Sequence, residues 1–194
     1  MKHLFLIAAF TLALGSSAQK WAKQYDYVDD CTCGLSLVTK SEKHGYVDKA
    51  GNLMIPLIYD EALHFTENLA AVKKDGKWGY LDTTGKTVID HLYEDASSFN
   101  EGAAVVMKGG KYGFIDPAGK QLIPFIYDNA SGFAEGLSAV QLNDQWGYVD
   151  KTGKMVIPAR FSFAGSFSDG NAKVMSKGKW LLIDKSGKKV QDLD

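Results

Sequence analysis

The 194-residue sequence lacks an excess of charge of either sign. It has 22 lysine and arginine residues and 23 aspartate and glutamate residues, which gives a formal net charge of -1. A nucleic-acid-binding domain would need a local excess of basic residues, whereas the lysines here are spread along the chain. The sequence also has neither a P-loop nor a glycine-rich dinucleotide fingerprint after a strand. We therefore expect no nucleic-acid partner and no cofactor.

The apolar run from Leu4 to Leu14 is too short for a membrane helix, which requires ~20 residues. A short polar start precedes the run, and the small residues Ser16 and Ala18 follow it, as at a signal-peptide cleavage site. We predict a secretory signal peptide over residues 1–18, cleaved after Ala18, and a single domain over residues 19–194. The alternative is a short uncleaved anchor. The mature protein is then periplasmic or extracellular and has no transmembrane segment.

Cysteine is scarce, and the only two, Cys31 and Cys33, form a C-T-C motif. An exported protein sits in an oxidising compartment, where a disulfide can form. Neighbours at i and i+2 of a strand nevertheless lie too far apart for a bridge, although a turn could allow a strained one. Three interpretations stay open: a Cys31–Cys33 disulfide, buried free or intermolecular thiols, and a metal or redox role. Two thiolates alone make an incomplete zinc site.

Catalytic groupings are missing as well. The histidines of the mature chain are His44, His64 and His91, and they fall at three different positions of a repeat described next. They cannot form a symmetric cluster, and nothing in the sequence places a serine, cysteine or carboxylate beside them. We therefore expect a protein that is not an enzyme.

The sequence repeats every 34 residues without an insertion. An aspartate recurs at this step, and a turn glycine and a phenylalanine keep the same step. The aspartates are Asp48, Asp82, Asp116, Asp150 and Asp184. Internal repeats at a fixed period indicate stacked units that bury a continuous core. The segments are counted as a half-unit 25–34, units 35–68, 69–102, 103–136 and 137–170, and a half-unit 171–194.

Each unit predicts a β-meander, and helical periodicity of useful length is absent from the mature chain. Short β-branched segments such as "LAAVKK" alternate with two-residue turns such as Asp75-Gly76 and Asn143-Asp144. Glycine, asparagine and aspartate tolerate the positive φ angles that such hairpins need. A D-x-x-G turn then leads to a third strand. About thirteen further residues, such as 90–102, could hold a short fourth strand or one helical turn.

The fold predicted from these units is an all-β repeat protein of five units. The two terminal half-units are complementary, so a ring could join them, with the N-terminal piece completing the last unit. This arithmetic suggests a closed, propeller-like toroid. The alternative is an open β-hairpin solenoid of the same length, with the half-units as caps. Propeller blades usually need ~40–45 residues, and a 34-residue unit is short for one.

An aromatic residue recurs in front of the glycine of each central strand. The candidate ligand-binding residues of this column are Trp78, Tyr112, Trp146 and Trp180. Such residues could form stacking platforms for sugars or peptides. The alternative is core packing, because aromatic side chains bury large areas. The glycines that follow, such as Gly79 and Gly147, suggest a close approach of another backbone, which favours packing.

Acidic residues also recur, but in a pattern that does not suit calcium. One aspartate per turn, 34 residues apart, supplies too few of the six to eight oxygens that calcium requires. We interpret the D-x-x-G aspartates as turn caps, and interpret the columns that contain Asp60 and Glu67 in the same way. No metal site is predicted.

The segments "KWGYLDTTGKTVI", "KYGFIDPAGKQLIP" and "QWGYVDKTGKMVIP", each followed by a Y-D-x-A-x-x-F-x-E-G-like stretch, resemble the WG-repeat (KWG-repeat) proteins of bacteria. The resemblance covers essentially the whole mature chain. It implies a β-rich repeat protein, often exported, with a binding or interaction role. The chain departs from the pattern where His44 replaces the first Trp, Leu181 the last Gly, and Asp90 a proline.

The function expected from these observations is an exported, non-enzymatic binding or scaffolding module. The expected partner is an envelope or extracellular protein, because repeat arrays place many turns on one surface. A glycan-binding module that uses exposed aromatic platforms is the alternative. Self-assembly through an open end of the array is a further one.

Overall fold

The computed structural model describes residues 18–193, and the fold is all-β apart from one short helix, α1 (Ala18–Ala22). Residues 1–17 of the predicted signal peptide lie outside the described part of the chain. The described residues form five antiparallel sheets of four strands each, called sheets 1 to 5 in chain order. The predicted all-β repeat architecture is thereby confirmed. No helix within residues 18–193 is long and apolar enough to span a membrane.

The first three sheets share one strand pattern. Sheet 1 contains β1 (Tyr27–Thr32), β2 (Leu35–Lys40), β3 (Lys43–Asp48) and β4 (Leu53–Tyr59). Sheet 2 contains β5 (Glu61–Ala62), β6 (Leu69–Lys74), β7 (Lys77–Asp82) and β8 (Thr87–Tyr93). Sheet 3 contains β9 (Asp95–Ala96), β10 (Ala104–Lys108), β11 (Lys111–Ile115) and β12 (Gln121–Tyr127).

The last two sheets continue the pattern. Sheet 4 contains β13 (Asn129–Ala130), β14 (Leu137–Leu142), β15 (Gln145–Asp150) and β16 (Met155–Phe161). Sheet 5 contains β17 (Phe163–Ala164), β18 (Asn171–Ser176), β19 (Lys179–Asp184) and β20 (Lys189–Asp192). Each sheet is offset from the counted units because the end of one unit supplies the short first strand of the next sheet. The division into units and a single domain stays a prediction.

The hairpin between the second and third strand of each sheet closes through two residues with positive φ. In sheet 2 these are Asp75 at 52° and Gly76 at 77°, and in sheet 4 they are Asn143 at 50° and Asp144 at 61°. Positive φ at both central residues is the conformation whose twist matches the flanking strands. The sequence placed these turns correctly because their residue types are those that tolerate this conformation.

The N-terminal half-unit completes the first sheet and not the last one. Its strand β1 pairs with β2, with Tyr27 opposite Thr39 and Thr32 opposite Leu35. Sheet 5 has a first strand of its own, in which Ala164 pairs with Val174. The predicted transfer of the N-terminal segment into the last unit is therefore wrong. The five sheets are each made from one continuous stretch of chain.

Neighbouring sheets pack face to face through buried side chains. One sheet contributes a tyrosine or phenylalanine from its third strand, and the next sheet contributes a phenylalanine from the loop after its short first strand. Examples are Tyr80 with Phe99, whose ring centroids are 4.9 Å apart, and Tyr148 with Phe167, also at 4.9 Å. Fully burying such a side chain stabilises the fold by roughly 1.5–3 kcal/mol. The core is therefore a series of layers between successive sheets.

The outward faces of sheets 1 and 5 differ from these layers. The turn glycine of sheets 2 to 5 packs against an isoleucine of the preceding sheet, as Gly85 does against Ile55. Within residues 18–193 no sheet precedes sheet 1, and the equivalent Gly51 packs against Trp21 of α1 instead. In sheet 5, Lys173 and Gln191 are exposed. They occupy the repeat positions of Ala139 and Ile157, which are buried in sheet 4. The N-terminal end is covered, and the C-terminal end is polar.

Candidate functional site

The aromatic column does not form a uniform exposed row. Trp78 is 6% exposed and belongs to the core between sheets 2 and 3, whereas Tyr112, Trp146 and Trp180 are half-buried. Tyr112 donates a hydrogen bond from its hydroxyl to the Asp95 carboxylate at 2.9 Å. These four side chains lie in four different sheets, and Trp78 offers little surface to a ligand.

Phe163 brings two members of this column together. Its ring centroid lies 6.4 Å from that of Trp146 and 5.4 Å from that of Trp180. Phe163 is 44% exposed, and the ammonium group of Lys173 lies 4.3 Å from the centroid of Trp180. The equivalent positions in sheets 2 to 4 are polar, namely Glu61, Asp95 and Asn129. An exposed aromatic surface with an adjacent cation thus lies between sheets 4 and 5.

The glycine after each aromatic residue faces a bulge in the fourth strand of its own sheet. In sheet 2, Trp78 pairs with Tyr93 and Tyr80 with Ile89, so Gly79 alone lies opposite residues 90–92. A Cβ atom on Gly79 would stand 2.6 Å from the Ile89 carbonyl oxygen. The close backbone approach predicted from the sequence is therefore real, and its partner is the bulged strand.

In sheet 5 both the glycine and the bulge opposite it are missing. Leu181 stands where the other sheets have glycine, and it pairs directly with Asp192, next to the pair of Leu182 with Gln191. The bulge opposite this position is thus missing where the glycine is missing. The Trp-Gly pair therefore serves packing. The glycine leaves room for the bulge, and the aromatic side chain packs over the neighbouring residues.

Each buried tyrosine of the third strand satisfies a backbone carbonyl 17 residues later. The hydroxyl of Tyr46 donates to Leu63 at 2.7 Å, that of Tyr80 to Ser97 at 2.8 Å, and that of Tyr148 to Gly165 at 2.7 Å. Sheet 3 has Phe114 at this position and cannot make the bond. There the hydroxyl of Ser138, from sheet 4, donates to the equivalent carbonyl of Ser131 at 2.6 Å.

Replacing Tyr80 by phenylalanine is expected to destabilise the protein by about 1–3 kcal/mol, because the Ser97 carbonyl loses its partner in a part-buried site. Urea unfolding of Tyr80→Phe and wild type measures the difference. Phe114→Tyr is the comparison variant, because the carbonyl that its hydroxyl would reach is already bound by Ser138. If Tyr80→Phe is as stable as wild type, the hydrogen bond contributes nothing.

Burial raises the pKa of Tyr46, Tyr80 and Tyr148 well above the ordinary value of 10.0. The folded protein therefore keeps these protons at pH values where the unfolded chain loses them. Their stabilisation is fully present below pH 10.0 and falls as the pH rises above that value. We expect the urea midpoint to drop in this alkaline range, together with a rise in tyrosinate absorbance. Ionisation of these three tyrosines well before the midpoint drops would contradict this expectation.

The aspartate of each D-x-x-G turn acts as a turn cap, as the sequence suggested. The Asp48 carboxylate accepts hydrogen bonds from the backbone N–H of Ala50 and of Asn52, both at 2.9 Å. The side-chain bond from Asn52 and the backbone bonds lower the pKa of Asp48. These oxygens are used by the turn, and within residues 18–193 no three metal-ligating side chains cluster.

Several of the other acidic residues join neighbouring sheets. Glu67 accepts a hydrogen bond from the Gly102 N–H at 3.1 Å, and Glu135 accepts one from Gly170 at 3.1 Å and pairs with Lys185 at 2.9 Å. These contacts are exposed to water, so each contributes little to the free energy of unfolding. They serve alignment of the sheets more than stability.

Cys31 and Cys33 are free, exposed thiols in the structure. Cys33 and Gly34 form the turn between β1 and β2, with φ angles of 49° and 85°. Cys31 occupies the position of the core phenylalanines Phe65 and Phe99, but the described part of the chain has no sheet before sheet 1 against which it could pack. The disulfide stays a prediction.

A cavity of about 360 Å³ is lined by Lys74, Asp75, Lys77 and His91. The His91 ring stacks on Tyr59 with a 6.3 Å centroid separation, and its Nε2 atom is buried without a hydrogen-bond partner. Burial lowers the pKa of His91. The lining residues include neither a serine nor a cysteine, so the cavity lacks the nucleophile of a hydrolytic triad.

An apolar stripe that the sequence analysis missed runs along the fourth strands of sheets 1 to 4. Its side chains are 38–55% exposed and repeat at the 34-residue step. This outer belt comprises Met54, Ile58, Val88, Leu92, Leu122, Ile126 and Val156. The recurrence of aliphatic residues beside the buried isoleucines was the signal that could have revealed it. Exposed apolar patches of this kind commonly mark interaction sites.

Comparison with solved structures finds propeller-like β folds. Hsv2 of Kluyveromyces lactis matches with 13% identity and a TM-score of 0.54, over 82% of this chain and 60% of its own. Apo AztD of Citrobacter koseri matches with 12% identity and a TM-score of 0.50, over 87% and 59%. This chain thus spans about three fifths of their length. At such identities the likeness concerns the fold alone.

The comparison with curated proteins gave no match. A profile of the WG containing repeat, in contrast, matches four consecutive segments, residues 45–78, 78–112, 112–146 and 146–180. Each match runs from the glycine or aromatic residue of one sheet to the aromatic residue of the next, so it contains the fourth-strand bulge and the inter-sheet phenylalanine. The matches cover most of the chain, which therefore belongs to the family of proteins built from WG containing repeats.

Proposed function

We propose that this protein is an exported, non-enzymatic binding module whose outer belt docks another protein. The observation that carries the proposal is the periodic exposure of seven aliphatic side chains on four neighbouring sheets. Leaving such side chains in water is unfavourable, and covering them with a partner recovers roughly 25 cal/mol per Å² of apolar surface. The belt has no aromatic member, so it suits apolar protein side chains better than sugar rings.

The edge of the belt favours side-chain docking over strand addition. Pro56, Pro124 and Pro158 stand in the bulges of β4, β12 and β16, where proline and bulges hinder pairing with a further strand. The exposed side chains beside them remain available. A partner would therefore contact the belt through its own apolar surface.

We infer that the array is an open one. Trp21 occupies the contact that a fifth sheet would make with Gly51 in a ring. Lys173 and Gln191 are exposed on the face of sheet 5 that a ring would bury. Small-angle X-ray scattering on residues 19–194 tests this inference, since an open array has a longer maximum dimension and no central hole. A scattering curve that fits a closed toroid would contradict it.

The docking proposal is tested by a pull-down from an envelope extract of the source organism, with residues 19–194 as bait. The test variant is Leu92→Glu with Ile126→Glu, which places two charges in the belt. Leu53→Glu is the matched control, because Leu53 is 50% exposed, lies on β4 outside the belt, and has the polar equivalents Thr87 and Gln121. We expect the wild type and the control to retain the same protein partner, and the belt variant to lose it.

Equal retention by the belt variant and by wild type would contradict docking on the belt. Polysaccharide retained without protein would favour the second candidate function, glycan binding. The observation in its favour is the exposed Phe163 ring beside Trp146 and Trp180. In that case Phe163→Ala should abolish retention, whereas the belt variant should not.

A further inference from the structure

The hairpin turns between second and third strands bind carboxylates of the chain itself in sheets 1 to 4. Asp26 accepts a hydrogen bond from the Ser41 N–H at 2.7 Å, and Asp128 accepts one from the Asn143 N–H at 2.9 Å. In sheet 3, Glu94 accepts two, from Gly109 at 3.1 Å and Gly110 at 2.8 Å. In sheet 2, the Lys43 side chain and then the N–H groups of Gly76 and Asp75 in the corresponding turn lower the pKa of Asp60. The carboxylates Asp26, Asp60, Glu94 and Asp128 are called the turn carboxylates.

The fifth turn has the same backbone but no carboxylate. Lys177 and Gly178 form it, with positive φ angles of 50° and 78° that match those of the other turns. Ser162 stands at the position of the turn carboxylate, and its hydroxyl donates to the Met175 carbonyl at 3.2 Å. Within residues 18–193, no acceptor lies on the N–H groups of Lys177 and Gly178.

The charges around this turn also differ from those around the other turns, because the lysines here have no paired carboxylate among residues 18–193. In sheets 1 to 3, a lysine of the hairpin pairs with the turn carboxylate of the next sheet, as Lys43 does with Asp60 at 2.6 Å. The equivalent Lys179 of sheet 5 has no next sheet in the described chain, and Lys177 adds a second cation to the turn itself. Neither lysine forms an ion pair within the described residues.

We propose that the Lys177–Gly178 turn is a binding site for an external carboxylate. Four copies of the same backbone arrangement in this chain hold that chemical group, so the repeat itself identifies the ligand class. The ligand oxygens would accept from the two N–H groups, as Glu94 does in sheet 3, and the exposed ammonium groups of Lys177 and Lys179 would favour its charge. This proposal is independent of the one made for the outer belt.

The test is a titration of 15N-labelled residues 19–194 with N-acetylglutamate at constant ionic strength, followed by amide chemical shifts. We expect saturable shifts at Lys177 and Gly178 and little change at Gly109 and Gly110, which Glu94 already occupies. Ser162→Asp supplies the missing carboxylate and should abolish the shifts and raise Tm. Ser162→Ala is the matched control and should bind as wild type does.

Three results would overturn the site: no saturable shift at Lys177 and Gly178, an equal response at Gly109 and Gly110, or unchanged binding by Ser162→Asp. A parallel titration with glucuronate separates the two sources of a carboxylate. Equal binding of glucuronate supports a site for carboxylates in general. Binding of N-acetylglutamate alone supports a site for acidic side chains of a protein.

Discussion

Gly147→Ala is expected to lower the free energy of unfolding by about 3 kcal/mol, at the upper end of what an overpacked core site costs. A Cβ atom at this position would stand 2.5 Å from the Ile157 carbonyl oxygen and 2.6 Å from the Ala159 nitrogen. Both are backbone atoms of the bulge in β16, so no side-chain rotation relieves the contact. In thermal unfolding this loss corresponds to a Tm lower by roughly 6–12 °C.

Gly132→Ala is the matched control, because a Cβ atom there meets nothing within 4 Å and its φ is not positive. It should leave Tm unchanged or raise it slightly, because alanine restricts the unfolded chain. A Gly147→Ala protein as stable as Gly132→Ala would show that the bulge can be rebuilt without glycine. The pairing of Leu181 with Asp192 in sheet 5 is the arrangement that such a rebuilt strand would adopt.

Trp21→Ala is the second change with a large expected effect, a loss of about 2–3 kcal/mol. The value lies below the 3–5 kcal/mol of a fully buried tryptophan because Trp21 is only half-buried. The indole covers Gly51 in the place of the isoleucine that covers the equivalent glycine in sheets 2 to 5. Without it, the N-terminal face of sheet 1 is opened to water. Urea unfolding and amide hydrogen exchange of sheet 1 measure the change.

The control for this variant lies at the other end of the array. Gln191 occupies in sheet 5 the repeat position of those isoleucines and is exposed, so Gln191→Ala should change stability by less than about 0.5 kcal/mol. Faster exchange in sheet 1 alone would agree with a local capping role for Trp21. Equal effects of the two substitutions would show that α1 is not a cap.

The turns and the close backbone approaches of the fold could be predicted, because they depend on the types of a few neighbouring residues. Asp75-Gly76 and Asn143-Asp144 are residues that tolerate positive φ, and the structure has both pairs there. Gly79 was a sign of close backbone approach, and the bulge opposite it confirms this. Such features depend on one or two neighbouring residues. The 34-residue repeat shows the hairpin turn five times and the glycine four times, at Gly45, Gly79, Gly113 and Gly147.

The features that could not be predicted depend on which sheet receives a segment. Residues 25–34 match the second half of a unit, and this match is the same whether they join the first sheet or the last one. The pairing of Tyr27 with Thr39 shows that they join the first sheet. The burial of Trp78 and the half-exposure of Trp146 likewise depend on their different surroundings, although both precede a glycine in the same motif. The exposed belt was missed because aliphatic residues in strands are usually assigned to the core.

The difference between inner and end sheets has a consequence for how such a chain can change in length. Sheets 2, 3 and 4 present the same kind of face on both sides, so one more 34-residue unit inserted between sheets 3 and 4 would meet surfaces already suited to it. Duplication at either end would instead bury the Trp21 cap or place Lys173 and Gln191 against an apolar layer. In the open array proposed above, an added unit is thus accommodated between inner sheets and penalised at the outer faces of sheets 1 and 5.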